Sequence, residues 1–216
     1  MQNHHIVRAF FLTAFVALCA ACASKSAETG ASQVIMRPLE RMAAQQIVVF
    51  PVQYLAFADS LGWQQSVPNR AAYLAALDDQ IAAVLTERGL GNSWTFGPEV
   101  ERASRANSIL MTDARSLSAE WLRGRVFPDK QTRDPLASQV RALVGLKGSR
   151  YALLPVELRF ESQGGMGVAI LKVVMMDARL AQIRWVGEVR SDPMRTFSSA
   201  LAASVATHFA DLVVAP

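Results

Sequence analysis

Cysteine is almost absent from this chain. Its 216 residues hold two, Cys19 and Cys22, both in the stretch ALCAACASKS near the N-terminus. Residues 23–216 therefore have neither a disulfide framework nor a thiolate metal site. Histidine is equally sparse: His4, His5 and His208 are the only three. His208 alone lies in the body of the chain, where it has no cysteine to pair with, which excludes a Cys–His nucleophile and a multi-histidine metal site. It reads as a hydrogen-bonded residue beside the apolar stripe of a helix. No GxSxG motif occurs, and GGMG at 164–167 joins two strand-like segments instead of leading from a strand into a helix, so it is a hairpin turn and no phosphate loop. No apolar run reaches the length of about 20 residues that a spanning helix needs. The net charge of +4 and pI of 9.4 come from scattered basic residues, a pattern that fits a solvated surface better than a nucleic-acid site.

What is present begins with a leader. Arg8 precedes an apolar run from Ala9 to Leu18, interrupted only by Thr13, and the small residues Ala20 and Ala21 follow. This order of charge, short apolar stretch and small residues predicts an export signal over residues 1–21. Cys22 directly after Ala-Ala resembles a bacterial lipobox, although Cys19 stands where leucine is usual and Leu18 lies one residue further back. The resemblance implies cleavage before Cys22 and acylation of its thiol and new amine, so a covalent lipid on Cys22 is the expected prosthetic group and no other cofactor or metal is expected. An ordinary secreted protein cut nearby is the alternative. Residues 22–45 begin as a small, polar tether, and residues 46–216 are expected to form one α/β domain in the periplasm.

Within that domain the hydrophobic period changes along the chain. Ile47–Phe50 is a continuous apolar, β-branched-rich run, as in a strand covered on both faces. Asn69 can cap a helix whose Leu74, Leu77, Ile81, Val84 and Leu85 recur at helical spacing and which Gly89 can end. Residues 93–96 form a short strand. Residues 99–147 read as helical with interruptions: one piece is SLSAEWLRG, and a better one starts at Asp134 and Pro135 and carries Leu136, Val140, Leu143 and Val144. The last third alternates with period two in three segments, which predicts an antiparallel meander with one wet face. A final helix aligns Phe197, Leu201, Val205 and Leu212 over the dry face. The fold class is therefore an α/β (α+β) sandwich, with a mixed sheet, a C-terminal three-stranded meander and helices mainly on one face.

Three stretches carry a family resemblance: IVVFPV at 47–52, LKGSRYALLPVELRF at 146–160, and VVMMDARLAQIRWVGEV at 173–189 with Asp177 before its turn and Trp185 after it. They resemble the envelope lipoproteins that share the fold of the TolB amino-terminal domain, among them the curli secretion lipoprotein and the lipoprotein activators of penicillin-binding proteins. Together they cover most of residues 46–213. The resemblance implies a non-enzymatic adaptor or assembly factor for an envelope complex. Ala23 and Ser24 after Cys22, with no aspartate there, imply an outer-membrane location. The helical reading of 98–148 departs from a pore-forming relative, and the short tether departs from activators that cross the cell-wall mesh.

The carboxylates offer little chemistry. Asp78 and Asp79 are adjacent on a helix and read as a solvated face. Glu157, Arg159 and Glu161 read as surface charge alternation, and Asp177 as a turn residue. The segment at 54–63 is too apolar for an idle loop: Tyr54, Leu55, Phe57, Leu61 and Trp63 either fold back over the sheet edge or form a partner-binding surface. The candidate contacts are Tyr54, Phe57, Leu61 and Trp63, with Cys22 as the lipid site. Arg123, Arg125, Lys130 and Arg133 form a basic loop that could meet lipid head groups. The expected partners are the membrane, through the anchor, and an envelope protein. A periplasmic carrier for a lipid or another apolar ligand is the competing reading, and it calls for a roomy pocket between sheet and helices.

Overall fold

A computed structural model describes residues 37–123 and 130–216. The predicted leader, Cys19, Cys22, most of the tether and Arg125 lie outside the described residues. Six strands, β1 (Ile47–Val49), β2 (Leu55–Phe57), β3 (Trp94–Thr95), β4 (Tyr151–Gln163), β5 (Met166–Asp177) and β6 (Gln182–Arg190), make one sheet in the order β3-β1-β4-β5-β6. β2 continues the β1 side by pairing with the distal half of β4. β1, β2 and β3 run parallel to their neighbours, whereas β4, β5 and β6 form the antiparallel meander read from the sequence. The helices are α1 (Arg70–Glu87), α2 (Gly97–Ala106), α3 (Leu136–Leu146) and α4 (Ala200–Asp211). No helix among the described residues is long and apolar enough to cross a membrane.

The local signals act as their chemistry predicts. The Asn69 side chain accepts the Ala72 N–H at 3.0 Å and caps α1. Gly89 follows the helix with φ 88°, a left-handed conformation that costs glycine nothing. The Asp134 carboxylate accepts the Ser138 N–H at 3.0 Å in the first turn of α3. Gly164 and Gly165, with φ 58° and 78°, close the β4–β5 hairpin. The Asp177 carboxylate accepts the Arg179 and Leu180 N–H groups and shapes the β5–β6 turn.

The sheet has two cores. On one face α1 and α4 bring Leu74, Leu77, Ile81, Leu85, Leu201, Val205 and Phe209 onto Leu153, Leu171, Val173 and Met175. On the other, α3, Val100 of α2 and the segment through Leu117 and Leu122 cover Ala152, Leu154, Val156, Val174 and Met176. The meander thus departs from the expectation of one wet face, because β5 is buried on both faces along nearly its whole length. Lys172 alternates with the apolar residues of β5 as a solvent-facing lysine would, yet its side chain is buried. The SLSAEWLRG piece contributes only a 3-10 turn at Glu120–Arg123, and the segment at 54–63 contains β2 and two further 3-10 turns.

Glycine also fixes a close approach. A Cβ on Gly167 would overlap the Trp63 indole, whereas one on Gly145 in α3 would meet open space. Gly167→Ala should therefore destabilise the protein by about 1–3 kcal/mol through overpacking. Gly145→Ala should stabilise it by about 0.5–1 kcal/mol through helix propensity. Urea unfolding with unchanged m-values checks both.

Candidate functional site

The aromatic segment occupies the sheet end that carries the β4–β5 hairpin. β2 aligns Leu55 with Leu158 and Phe57 with Phe160. Phe57 stacks on Phe160 with ring centroids 5.2 Å apart, and Trp63 meets Phe160 and Phe197 edge to face at 5.6 and 5.7 Å. Tyr73 of α1 completes the group at 6.1 Å from Phe160 and 5.7 Å from Phe197. Burial pushes the Tyr73 phenol up to about 12.

The four sequence candidates are thereby separated. Trp63 is 7% exposed and belongs to the core. Phe57 and Leu61 are half-buried against the same core. Tyr54 is exposed at 39%, with the Arg123 guanidinium 3.9 Å from its ring centroid. A shallow cleft of about 360 Å³ opens among Phe57, Ala58, Gly62, Trp63, Gln64 and Gln65. The segment packs back over the sheet and still presents an aromatic rim.

A buried charge cluster lies across the end of β1, and the sequence reading of Asp78 is corrected by it. Asp79 is exposed, but Asp78 is buried. The Asp78 carboxylate accepts the Val52 N–H at 2.9 Å and lies 2.9 Å from the Arg115 guanidinium, which is also 2.8 Å from Glu101 of α2. Gly97 permits this approach, since a Cβ there would crowd Pro51 and stand 3.5 Å from the Asp78 Cβ. Burial pushes the Asp78 carboxyl up to about 7, against the opposing pull of the Val52 N–H and Arg115. The hydrogen bond from Arg115 holds Glu101 below its ordinary value. Gln53 adds a neutral clamp: its amide donates to the Ala114 carbonyl and accepts the Leu117 N–H. The missed signal was an aspartate at a position of α1 that continues the apolar stripe of Leu74, Leu77, Ile81 and Leu85.

On the outer face of the meander, Arg159 bonds Glu161 and Glu188 beside Lys172 and Arg190, around an open groove of about 560 Å³. Burial pulls the Lys172 ammonium below its ordinary value. Opposite charges are paired through this groove, so it has no bias toward a ligand of one sign. His208 lies with Nδ1 2.6 Å from the Arg190 carbonyl. A carrier would need space between sheet and helices, and that space is filled by side chains such as Leu77, Leu85, Leu201 and Phe209, all fully buried. The turn after α2 exposes Ile109 and Leu110 at 97% and 82%. Sequence reasoning passed over this tip, whose signal is the apolar triplet Ile109–Met111 between Asn107-Ser108 and Thr112-Asp113.

No family model matches the chain, and no curated protein matches it. Among solved structures it is similar to the PelC dodecamer from Paraburkholderia phytofirmans, at 13% identity over 81% of this chain and 91% of that one, with a TM-score of 0.38. It is similar to lipoprotein GNA1162 from Neisseria meningitidis at 18% identity over 72% and 88%, with a TM-score of 0.36. It is also similar to the LpoB C-terminal domain from Salmonella enterica at 13% identity over 72% and 93%, with a TM-score of 0.37. Likenesses of this strength assign no function.

Asp78 gives the site a measurable pH signature. Its folded pKa of about 7 lies above an unfolded value of about 3.9, so the protonated form favours the fold. Its contribution is fully present below pH 4 and is lost as pH rises through 7, a difference on the order of 4 kcal/mol. Relative to Asp78→Asn, the wild-type protein should lose stability between about pH 4 and 7 in urea titrations. Parallel pH profiles of the two proteins would contradict the assignment.

Proposed function

We propose that the chain is a lipid-anchored protein of the bacterial envelope, held by Cys22 at the periplasmic face of the outer membrane, and that its domain is a non-enzymatic adaptor for an envelope complex. The reading is carried by chain order: an apolar leader ends in Ala20-Ala21-Cys22, a polar tether follows, and then comes a domain whose aromatic segment keeps a rim on the surface. Anchoring confines the domain to a thin layer and raises its effective concentration toward a membrane-embedded partner. Recognition falls to the rim of Tyr54 and Phe57, with the Ile109–Leu110 tip as a second apolar contact. Exposed aromatic and apolar side chains of this kind gain most when a partner removes them from water.

Two experiments test this. Cys22→Ser should abolish incorporation of a labelled fatty acid and release the protein from membranes, while its thermal unfolding stays unchanged. Persistent labelling would remove the anchor. A photoreactive residue placed at Tyr54 or Ile109 should give discrete protein adducts in intact cells, and one at exposed Asp79 should not. Absence of adducts at both positions would remove the adaptor role.

A further inference from the structure

The sheet end away from the aromatic rim has a different surface. Ile47, Tyr151, Asp177 and Gln182 align there through the β1–β4, β4–β5 and β5–β6 pairings. The C-termini of α1 and α4 meet at the same end, where Arg88 bonds Asp211 and the Leu39 N–H donates to the Leu212 carbonyl. The α3 C-terminus follows suit, because Ser149 just beyond it bonds the Gln46 carbonyl.

Six basic residues are exposed across this end: Arg41, Lys130, Arg141, Arg150, Arg179 and Arg184. Arg150 neutralises buried Asp177, with two guanidinium nitrogens 2.9 and 2.6 Å from one carboxylate oxygen. That bond and the Leu180 N–H outweigh burial and hold the Asp177 carboxyl below its ordinary value. Exposed acids also reach this end: Glu40, Glu87, Asp134 two residues after the Thr132 N–H that bonds the Ala181 carbonyl, and Glu99, which pairs with Lys147 just beyond α3. Leu180 in the β5–β6 turn, next to Arg179, is 47% exposed, and Leu146 in the last turn of α3 is 44% exposed. A shallow pocket of about 410 Å³ at this end is lined by Arg141, Arg150 and Arg179 together with Val144 and Ala178.

We infer that this end is a membrane-facing surface that docks on anionic phospholipid, with the arginines on the head groups and Leu146 and Leu180 at the boundary with the acyl chains. Basic residues ringing a modest apolar patch are the physical signature of interfacial binding. The chain also enters the fold here: Leu39 is bonded to Leu212, and residues 44–46 line a second pocket beside Arg150. The inference rests on the anchored reading for its location, since the sixteen residues from Cys22 to Arg37 span at most about 55 Å and keep the domain near the lipid. The acylated Cys22 then holds the domain at the membrane, and the basic surface sets which end of the domain faces the lipid.

The surface is tested separately from the anchor by using the chain from residue 22 with Cys22→Ser, which has no acyl group. It should sediment with vesicles of phosphatidylcholine mixed with phosphatidylglycerol, less so at high salt, and not with phosphatidylcholine alone. Arg141→Gln with Arg179→Gln should lower its partition coefficient on the order of thirty-fold. Thermal unfolding confirms that the variant is folded, and Arg41→Gln with Arg184→Gln serves as a second pair if it is not. Equal binding to neutral vesicles, binding untouched by both pairs, or no binding at all would overturn the inference. Acyl labelling of wild-type Cys22 reads the anchor independently, so loss of either result leaves the other interpretable.

Discussion

Burial of β5 on both faces dictates how the helices of this domain are arranged. A strand with one wet face needs one covering layer, whereas β5 places Leu171, Val173 and Met175 in one core and Val174 and Met176 in another. Two helices therefore serve one face, and α3 with the segment around Leu117 and Leu122 must return to serve the other. That return places Arg115 over the end of β1 and leaves the Ile109–Leu110 turn outside. The long β4–β5 ladder also separates the two ends of the domain by roughly 40 Å, one carrying the aromatic rim and the other the basic surface.

The Asp78–Arg115–Glu101 cluster is better understood as a positioning device than as a source of stability. Removing charges from water costs several kcal/mol per ion, and a buried pair seldom returns more than that cost. Two carboxylates share one guanidinium here, so burial dominates Asp78 even with Val52 and Arg115 opposing it. What the cluster supplies is register: the β1 end, α1, α2 and the returning segment are bonded through the same few atoms.

Much of this was legible in the sequence, and the failures share a cause. Asn69, Gly89, Asp134 and the two hairpin turns act through neighbours within a few residues, so local chemistry decides them. Period two identified the meander, and helical spacing identified the stripes of α1, α3 and α4. Asp78 was misread because its partner, Arg115, arrives from a remote segment with no local mark. The second core was missed because Lys172 and the charged residues of β4 and β6 imitate a solvent face. In the aromatic segment both readings of the residues have a counterpart: Trp63 is core, and Tyr54 is surface. Cys22, the residue on which the functional reading turns, belongs to the part of the chain where sequence alone speaks.

In the proposed orientation the domain is held with one sheet end at the membrane and the other free for a partner. An environment-sensitive fluorophore on the lipidated protein, bound to anionic vesicles, reads this directly. Placed at Leu180 it should shift to the blue and become accessible to a quencher carried on the lipid, while at Gln163 beside the opposite hairpin it should behave as in water. Equal behaviour at the two positions, or a shift at Gln163 alone, would contradict the orientation.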